Sequence, residues 1–189
     1  MLAVVSQENV VAPPMVSRTG RHLQRYNKQG GRQVVGCIPY RYKIIETSSL
    51  DEEEKELEVL VISSQNGKRM LFPKGGWELD ESMTEAAMRE TLEEAGVRGT
   101  IEHELGIWSF KSKRHGTNYE GYMFPLLVQE QLDTWPEKNF RQREWMTVAE
   151  ARKACHHLWM KEALDRFEQR LKPQQQQHIE GELAQLFFC

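Results

Sequence analysis

The sequence predicts an α/β protein in which a mixed β-sheet lies between α-helices. Two observations carry that expectation. Short apolar runs of strand type stand on both sides of one well-capped helix, and further helical periods close the chain. The length of 189 residues suits a single compact domain with short tails and a core that needs no staples.

The first 30 or so residues read as irregular, broken by Pro13-Pro14 and Gly30-Gly31. Arg32–Tyr42 is rich in Val, Ile and Tyr and reads as a strand. Ser48–Glu56 is an acidic surface loop, and Leu57–Ser63 is an apolar strand. Gln65-Asn66-Gly67-Lys68 is a turn that pairs this strand with Met70-Leu71-Phe72 in a hairpin. Pro73-Lys74-Gly75-Gly76 reads as a loop.

Ser82 with Glu85 three residues on has capping-box spacing, so a helix starts at Met83. Its apolar side carries Ala86, Ala87 and Leu92, and Gly96 ends it as a C′ glycine would. Ile101–Phe110 and Tyr119–Gln129 are strand candidates bridged by the basic loop Lys111–His115. Pro136 and Asn139 mark a loop before a short strand, Arg143–Met146. Val148–Ala154 and Lys161–Leu171 are the closing helices, the latter with Ala163, Leu164, Phe167 and Leu171 at helical spacing. The expected organisation is a disordered lead over 1–17, a domain over 18–171 and a Gln-rich tail over 172–189.

Hydrophobic residues make up 39% and charged residues 28%, a globular composition. No apolar run reaches the roughly 18 residues of a membrane helix. The net charge is −3, but its placement is uneven. Asn9–Ile45 contains no acid and seven Lys or Arg, whereas Asp51–Glu58 is densely acidic. A segregated basic patch on a mildly acidic chain favours an anionic small ligand over duplex nucleic acid. Cys37, Cys155 and Cys189 form no CxxC pair, which fits a reducing compartment. The expected location is cytoplasmic or nuclear, with a mitochondrial presequence drawing on the arginines from Arg18 onward as the alternative.

The chemistry concentrates in the capped helix. Glu90 and Glu94 are i,i+4 neighbours and Glu93 is i+3 from Glu90, so three carboxylates share roughly one face. Exposed acidic helix faces are common, and three glutamates alone do not decide between solvation and function. A hard divalent cation would remove their mutual repulsion and bridge to substrate phosphates. Gly75 and Gly76 allow close backbone approach, and the Gly75 carbonyl is a further oxygen donor. Arg89 is placed to fix the carboxylates.

The complete spacing is GX5EX7REUXEEXGU, matched by Gly75, Glu81, Arg89, Glu90, Glu93, Glu94 and Gly96. Seven fixed matches coincide by chance about once in 10⁸ starts at ordinary residue frequencies. This pattern is the Nudix signature, and the chain resembles that family. Thr91 departs from it, in a slot that is usually bulky and aliphatic. Arg32–Arg41, Glu58–Ser64, Gly106-Ile107 and Arg143-Glu144-Trp145 are similar to parts of the diphosphoinositol polyphosphate phosphohydrolase branch and its plant relatives.

The resemblance implies a Nudix fold and metal-dependent hydrolysis of a phosphoric anhydride. Glu90 and Glu94 would be the main ligands of Mg²⁺ or Mn²⁺, with Glu93 and the Gly75 carbonyl beside them. Glu81 would support the metal shell and Arg89 would orient a glutamate. Glu90 is favoured as base, with Glu144 or Glu120 as alternatives outside the box. Candidate phosphate contacts are Arg32, Arg41, Lys74, Lys113 and Arg114, with hydroxyls from Ser63 and Ser64. The expected substrate is a polyphosphorylated small molecule, either a diadenosine polyphosphate with its base on Trp77, Trp108 or Tyr119, or an inositol pyrophosphate. Phe72-Pro73-Lys74-Gly75 resembles decapping Nudix enzymes, but the long basic helix for RNA is missing. The proline of ADP-ribose-selective members is replaced by the Ser112-Lys113 region. A catalytically idle polyphosphate sensor is the non-enzymatic alternative.

Overall fold

The computed structural model describes residues 16–45, 54–65, 67, 69–111 and 116–186, with backbone alone beyond Lys172. Lys113, Arg114, most of the acidic 48–56 segment and the lead over 1–15 therefore lie outside the described residues. The elements run β1 Arg32–Ile45, β2 Glu54–Ser63, β3 Met70–Leu71, β4 Lys74–Gly76, α1 Met83–Ala95, β5 Val97–Ile101, β6 Gly106–Lys111, β7 Asn118–Gln131, β8 Arg143–Thr147, α2 Val148–Ala154 and α3 Leu158–Leu186.

The spine of the sheet has the order β3-β2-β1-β7-β5, with β4 on β1, β6 on β7 and β8 on β2. β1 and β7 run parallel while their other partners are antiparallel, so the sheet is mixed. Alternation along β1 sends its residues to two cores. Val35 and Cys37 meet Ala86 and Ala87 of α1, together with Tyr122, Phe124 and Leu126. Ile38 and Tyr40 face α3, where Trp159, Met160, Ala163, Leu164, Phe167 and Leu171 are buried. Helices thus cover both faces, as the sequence predicts.

Three departures have physical causes. Lys74–Gly76 is strand, not loop: it pairs with Gly36, Val35 and Val34. Gly75 and Gly76 hide strand propensity, and the close approach of the two strands needs Gly36 on β1, where a Cβ would lie 2.4 Å from the Pro73 carbonyl. The expected strand Ile101–Phe110 is broken between β5 and β6, which share the outer edge of β7. The break falls opposite Pro125, which has no N–H for the ladder; Pro125 only accepts, from the Glu102 amide at 3.0 Å. The helical backbone of α3 runs through Pro173 to Leu186, where the sequence suggests a low-complexity tail.

The caps of α1 follow the sequence closely. Glu85 N–H donates to Ser82 Oγ at 3.2 Å and Ser82 N–H donates to the Glu85 carboxylate at 2.8 Å. Gly96 is left-handed at φ 65°, ψ 36°, and a Cβ there would meet Trp135 at 2.7 Å. Gly96→Ala is expected to cost at least 1–2 kcal/mol from its backbone conformation alone. Thermal denaturation checks this; an unchanged melting temperature would refute the cap assignment.

Candidate functional site

Helix α1 turns its carboxylates inward. The side chains of Glu81, Glu93 and Glu94 are 7%, 9% and 7% exposed, and that of Glu90 is 13% exposed. A solvated acidic face is thereby excluded. Leu92, expected on the apolar side, is only half-buried, while Thr91 is fully buried. The unusual threonine fits because its hydroxyl donates to the Ala87 carbonyl at 2.7 Å, which satisfies the polar atom within the helix.

Arg89 is the hub. Its Nε and Nη2 hold Glu81 in a two-point contact at 2.8 and 2.7 Å. Nη1 donates to Glu90 at 2.8 Å and reaches Glu93 at 3.5 Å, while Nη2 also donates to the Gly76 carbonyl at 3.0 Å. The backbone N–H of Glu78 donates to Glu81 at 3.0 Å, which ties the loop before α1 to the same carboxylate. Glu94 accepts from the Lys74 amide at 2.8 Å and from the buried Arg141 guanidinium. Glu93 accepts from the Arg18 amide at 3.1 Å. Gly75 closes the other side: a Cβ there would lie 1.9 Å from Glu90 Oε2.

Two residues escaped the sequence reading. Arg141 joins Glu94 to Glu137 at 2.6 Å and to the Ser63 carbonyl at 3.0 Å. Glu137 donates its amide to the Glu93 carbonyl at 3.0 Å, and its charge bears on Glu90. Both sit in the loop between β7 and β8, some 45 residues from the box. No local pattern in sequence links them to it.

Burial dominates the electrostatics. It pushes the Glu94 carboxyl up to about 7, although Lys74 and Arg141 pull it down. Burial and then the charge of Glu90 push Glu93 up to about 7 against the pull of Arg89. Glu90 is raised by burial as well. Glu81 is held below its ordinary range: its hydrogen bonds and ion pair with Arg89 outweigh its burial.

The other candidates are distributed unevenly. The positive charge of Lys74 acts on Glu90 and Glu94, and its amide donates to Glu94 at 2.8 Å. Arg32 bonds to Gln24 and approaches Gly76, which separates it from Arg89. Arg41 is not brought to the cluster. It lies six residues beyond Val35 on β1, ~20 Å along the strand, where Glu58 pairs with it at 2.7 Å and Trp145 lies under it at 4.1 Å. Ser63 Oγ accepts from the Gln142 amide at 2.9 Å, and the Ser64 backbone closes the β2–β3 turn. The Ser63 hydroxyl therefore holds backbone of the β7–β8 loop. Glu144 is exposed on β8, paired with Val61, and Glu120 is engaged by Gln33, Asn27 and Tyr122.

Among the described residues, no three acidic, histidine or cysteine side chains are already arranged around one metal ion, since Arg89, Arg141 and amides take the oxygens. The donor chemistry nevertheless fits one. Glu81, Glu90, Glu93, Glu94 and Glu137 face Arg89, Arg141 and Lys74, so five carboxylates meet three cations. Carboxyl groups outnumber cations here, and a hard divalent cation would take the place of the protons that burial favours on Glu93 and Glu94.

A buried, glycine-flanked acidic helix on a mixed sheet has the oxygen donors of a site for a hard divalent cation and the phosphates it bridges. The NUDIX domain family matches residues 49–167. The chain is 64% identical over 157 residues to Nudix hydrolase 18, mitochondrial, of Arabidopsis thaliana, covering 83% of this chain and 87% of that one. It is 35% identical over 135 residues to diphosphoinositol polyphosphate phosphohydrolase 2 of Mus musculus, covering 69% and 68%. The solved C. elegans Ap4A hydrolase superposes with a TM-score of 0.56 at 20% identity, over 75% of this chain and 98% of that one, a likeness of fold. This chain belongs to the Nudix hydrolase family and is a pyrophosphohydrolase. Members act on nucleoside diphosphate derivatives and generally use divalent metal ions.

Proposed function

We propose that the chain hydrolyses a phosphoric anhydride in a diadenosine polyphosphate or an inositol pyrophosphate, using Mg²⁺ or Mn²⁺ held by Glu90, Glu93, Glu94 and the Gly75 carbonyl. The observation that carries this reading is the buried glutamate cluster, in which carboxyl groups outnumber the cations that pair with them. When bound, the ion neutralises phosphoryl oxygens and lowers the pKa of bound water.

The chain's own groups do the rest. Arg89 holds Glu81 and steadies Glu90 through one planar fork. Arg141 and the Lys74 amide fix both oxygens of Glu94. Lys74 and Arg32 supply cations for the diphosphate, and Lys113 and Arg114 remain candidates on the β6–β7 connection. Water attacks one phosphorus, the bridging P–O bond breaks, and the water's proton passes to a carboxylate. Glu90 is the candidate acceptor within the box. Outside it, Glu137 is the better candidate than Glu144 or Glu120, because of the three only its charge acts on Glu90 and its amide donates to the Glu93 carbonyl at 3.0 Å.

The name of the mouse relative supports an inositol pyrophosphate substrate. The names of several Arabidopsis relatives, mitochondrial for some and chloroplastic for another, favour an organellar location over a cytoplasmic or nuclear one. No helix among the described residues is long and apolar enough to cross a membrane. The test incubates the chain and Mg²⁺ or Mn²⁺ with an inositol pyrophosphate, diadenosine polyphosphates, ADP-ribose and capped RNA, with and without EDTA. EDTA-sensitive turnover of either of the first two supports the proposal. Turnover of only the last two, or turnover that EDTA leaves intact, refutes it.

A further inference from the structure

The loop between β7 and β8 borders the glutamate cluster and is tied to α1 at successive points. Leu132 N–H donates to the Gly96 carbonyl at 2.8 Å, Trp135 Nε1 to the Glu94 carbonyl at 3.2 Å, and Glu137 N–H to the Glu93 carbonyl at 3.0 Å. Arg141 completes the series by binding the Glu94 carboxylate. Trp135 is buried beneath the loop with Arg143 at 4.0 Å over its ring. The amides of Phe140 and Arg141 both donate to the Glu137 carbonyl at 2.9 Å, which closes the outer turn.

This rigid turn displays Phe140, which is 67% exposed and the most exposed aromatic side chain among the described residues. Single exposed apolar residues are ordinary on a protein surface. This one differs in place, since it stands next to Arg141 and three residues from Glu137. The three aromatics expected from sequence to carry a base are occupied. Trp77 has Arg25 over its face at 4.5 Å and donates its Nε1 to the Glu81 carbonyl at 3.0 Å. Trp108 is buried and donates to Glu162. Tyr119 is stacked on Phe110 at 5.4 Å on the sheet face that packs against α3, not α1.

We infer that Phe140 is a stacking platform for the nucleobase of a nucleoside diphosphate derivative, and so selects nucleoside substrates over base-free polyphosphates. The inference rests on the glutamate cluster being the site of anhydride cleavage. A ring held on a pinned loop gives up little conformational freedom when a planar partner stacks on it. An inositol ring has no π face and gains nothing from the phenyl group.

The test compares the full chain with Phe140→Ala and Phe140→Tyr. Calorimetry measures binding of ADP and of inorganic tripolyphosphate, and steady-state kinetics measures a diadenosine polyphosphate against an inositol pyrophosphate. Phe140→Ala is expected to weaken ADP binding about tenfold and to raise the diadenosine KM similarly with kcat kept. Phe140→Tyr restores both, and the base-free ligands do not respond. Equal weakening of tripolyphosphate, no change for ADP, or no ADP binding by the wild-type chain overturns the platform. Binding of ADP through Phe140 without hydrolysis of any substrate would instead defeat the hydrolase reading and leave the platform standing.

Discussion

Glu94→Gln and Glu93→Gln are each expected to lower kcat on the order of 10²–10³-fold while the fold survives. The isosteric amide keeps volume and loses the charge that a divalent ion needs. Folding should tolerate Glu94→Gln because Arg141 retains Glu137 and the Ser63 carbonyl. Metal affinity separates loss of a ligand from loss of structure: Mn²⁺ binding should weaken in both variants at an unchanged melting temperature. The wild-type chain should show the same dependence through pH. Glu93 and Glu94 are pushed up to about 7 by burial, so below that pH a cation must displace protons from them. Apparent Mn²⁺ affinity is therefore expected to fall as pH drops from 8 to 6. Full turnover in the double variant would remove the helix from the metal site.

How much of this could be read from sequence depends on how local the cause is. The helix α1 was legible to the residue because its start, stop and acidic face depend on Ser82, Glu85, Gly96 and 3.6-residue spacing, all local. Arg89 was legible for the same reason. The strand character of Lys74–Gly76 was not, since glycines carry no propensity signal and the ladder comes from β1. Arg41 looked like Arg32, two cations on one strand, and only the register with Glu58 separates them. Arg141 and Glu137 reach the site through a loop whose path tertiary packing sets. The strand break at Glu102–Leu105 was readable in principle, because Pro125 on the facing strand removes a donor. It required knowing that β5 and β6 share that partner.

Gly75→Ala is expected to reduce kcat on the order of a hundredfold or more, whereas Gly76→Ala should act mainly on KM. The two glycines are adjacent, and alternation along β4 turns their α-hydrogens to opposite faces of the sheet. A methyl on Gly75 would occupy the place of the Glu90 carboxylate, 1.9–2.2 Å from all three of its terminal atoms. Glu90 is hemmed in by Arg89 and has little room to retreat, so the methyl displaces a proposed metal ligand. A methyl on Gly76 would instead meet the Gln24 amide at 2.4 Å and Arg32 Nη2 at 2.8 Å. Those are ends of flexible side chains, and pushing Arg32 aside removes a proposed phosphate contact rather than a proposed metal ligand. Arg32→Ala should therefore reproduce the KM effect of Gly76→Ala and not the kcat effect of Gly75→Ala. Steady-state kinetics of the three variants on one substrate decides it. Equal kcat losses at Gly75 and Gly76 would mean that the β4 strand itself had been disrupted, and the assignment of separate roles to its two faces would fail.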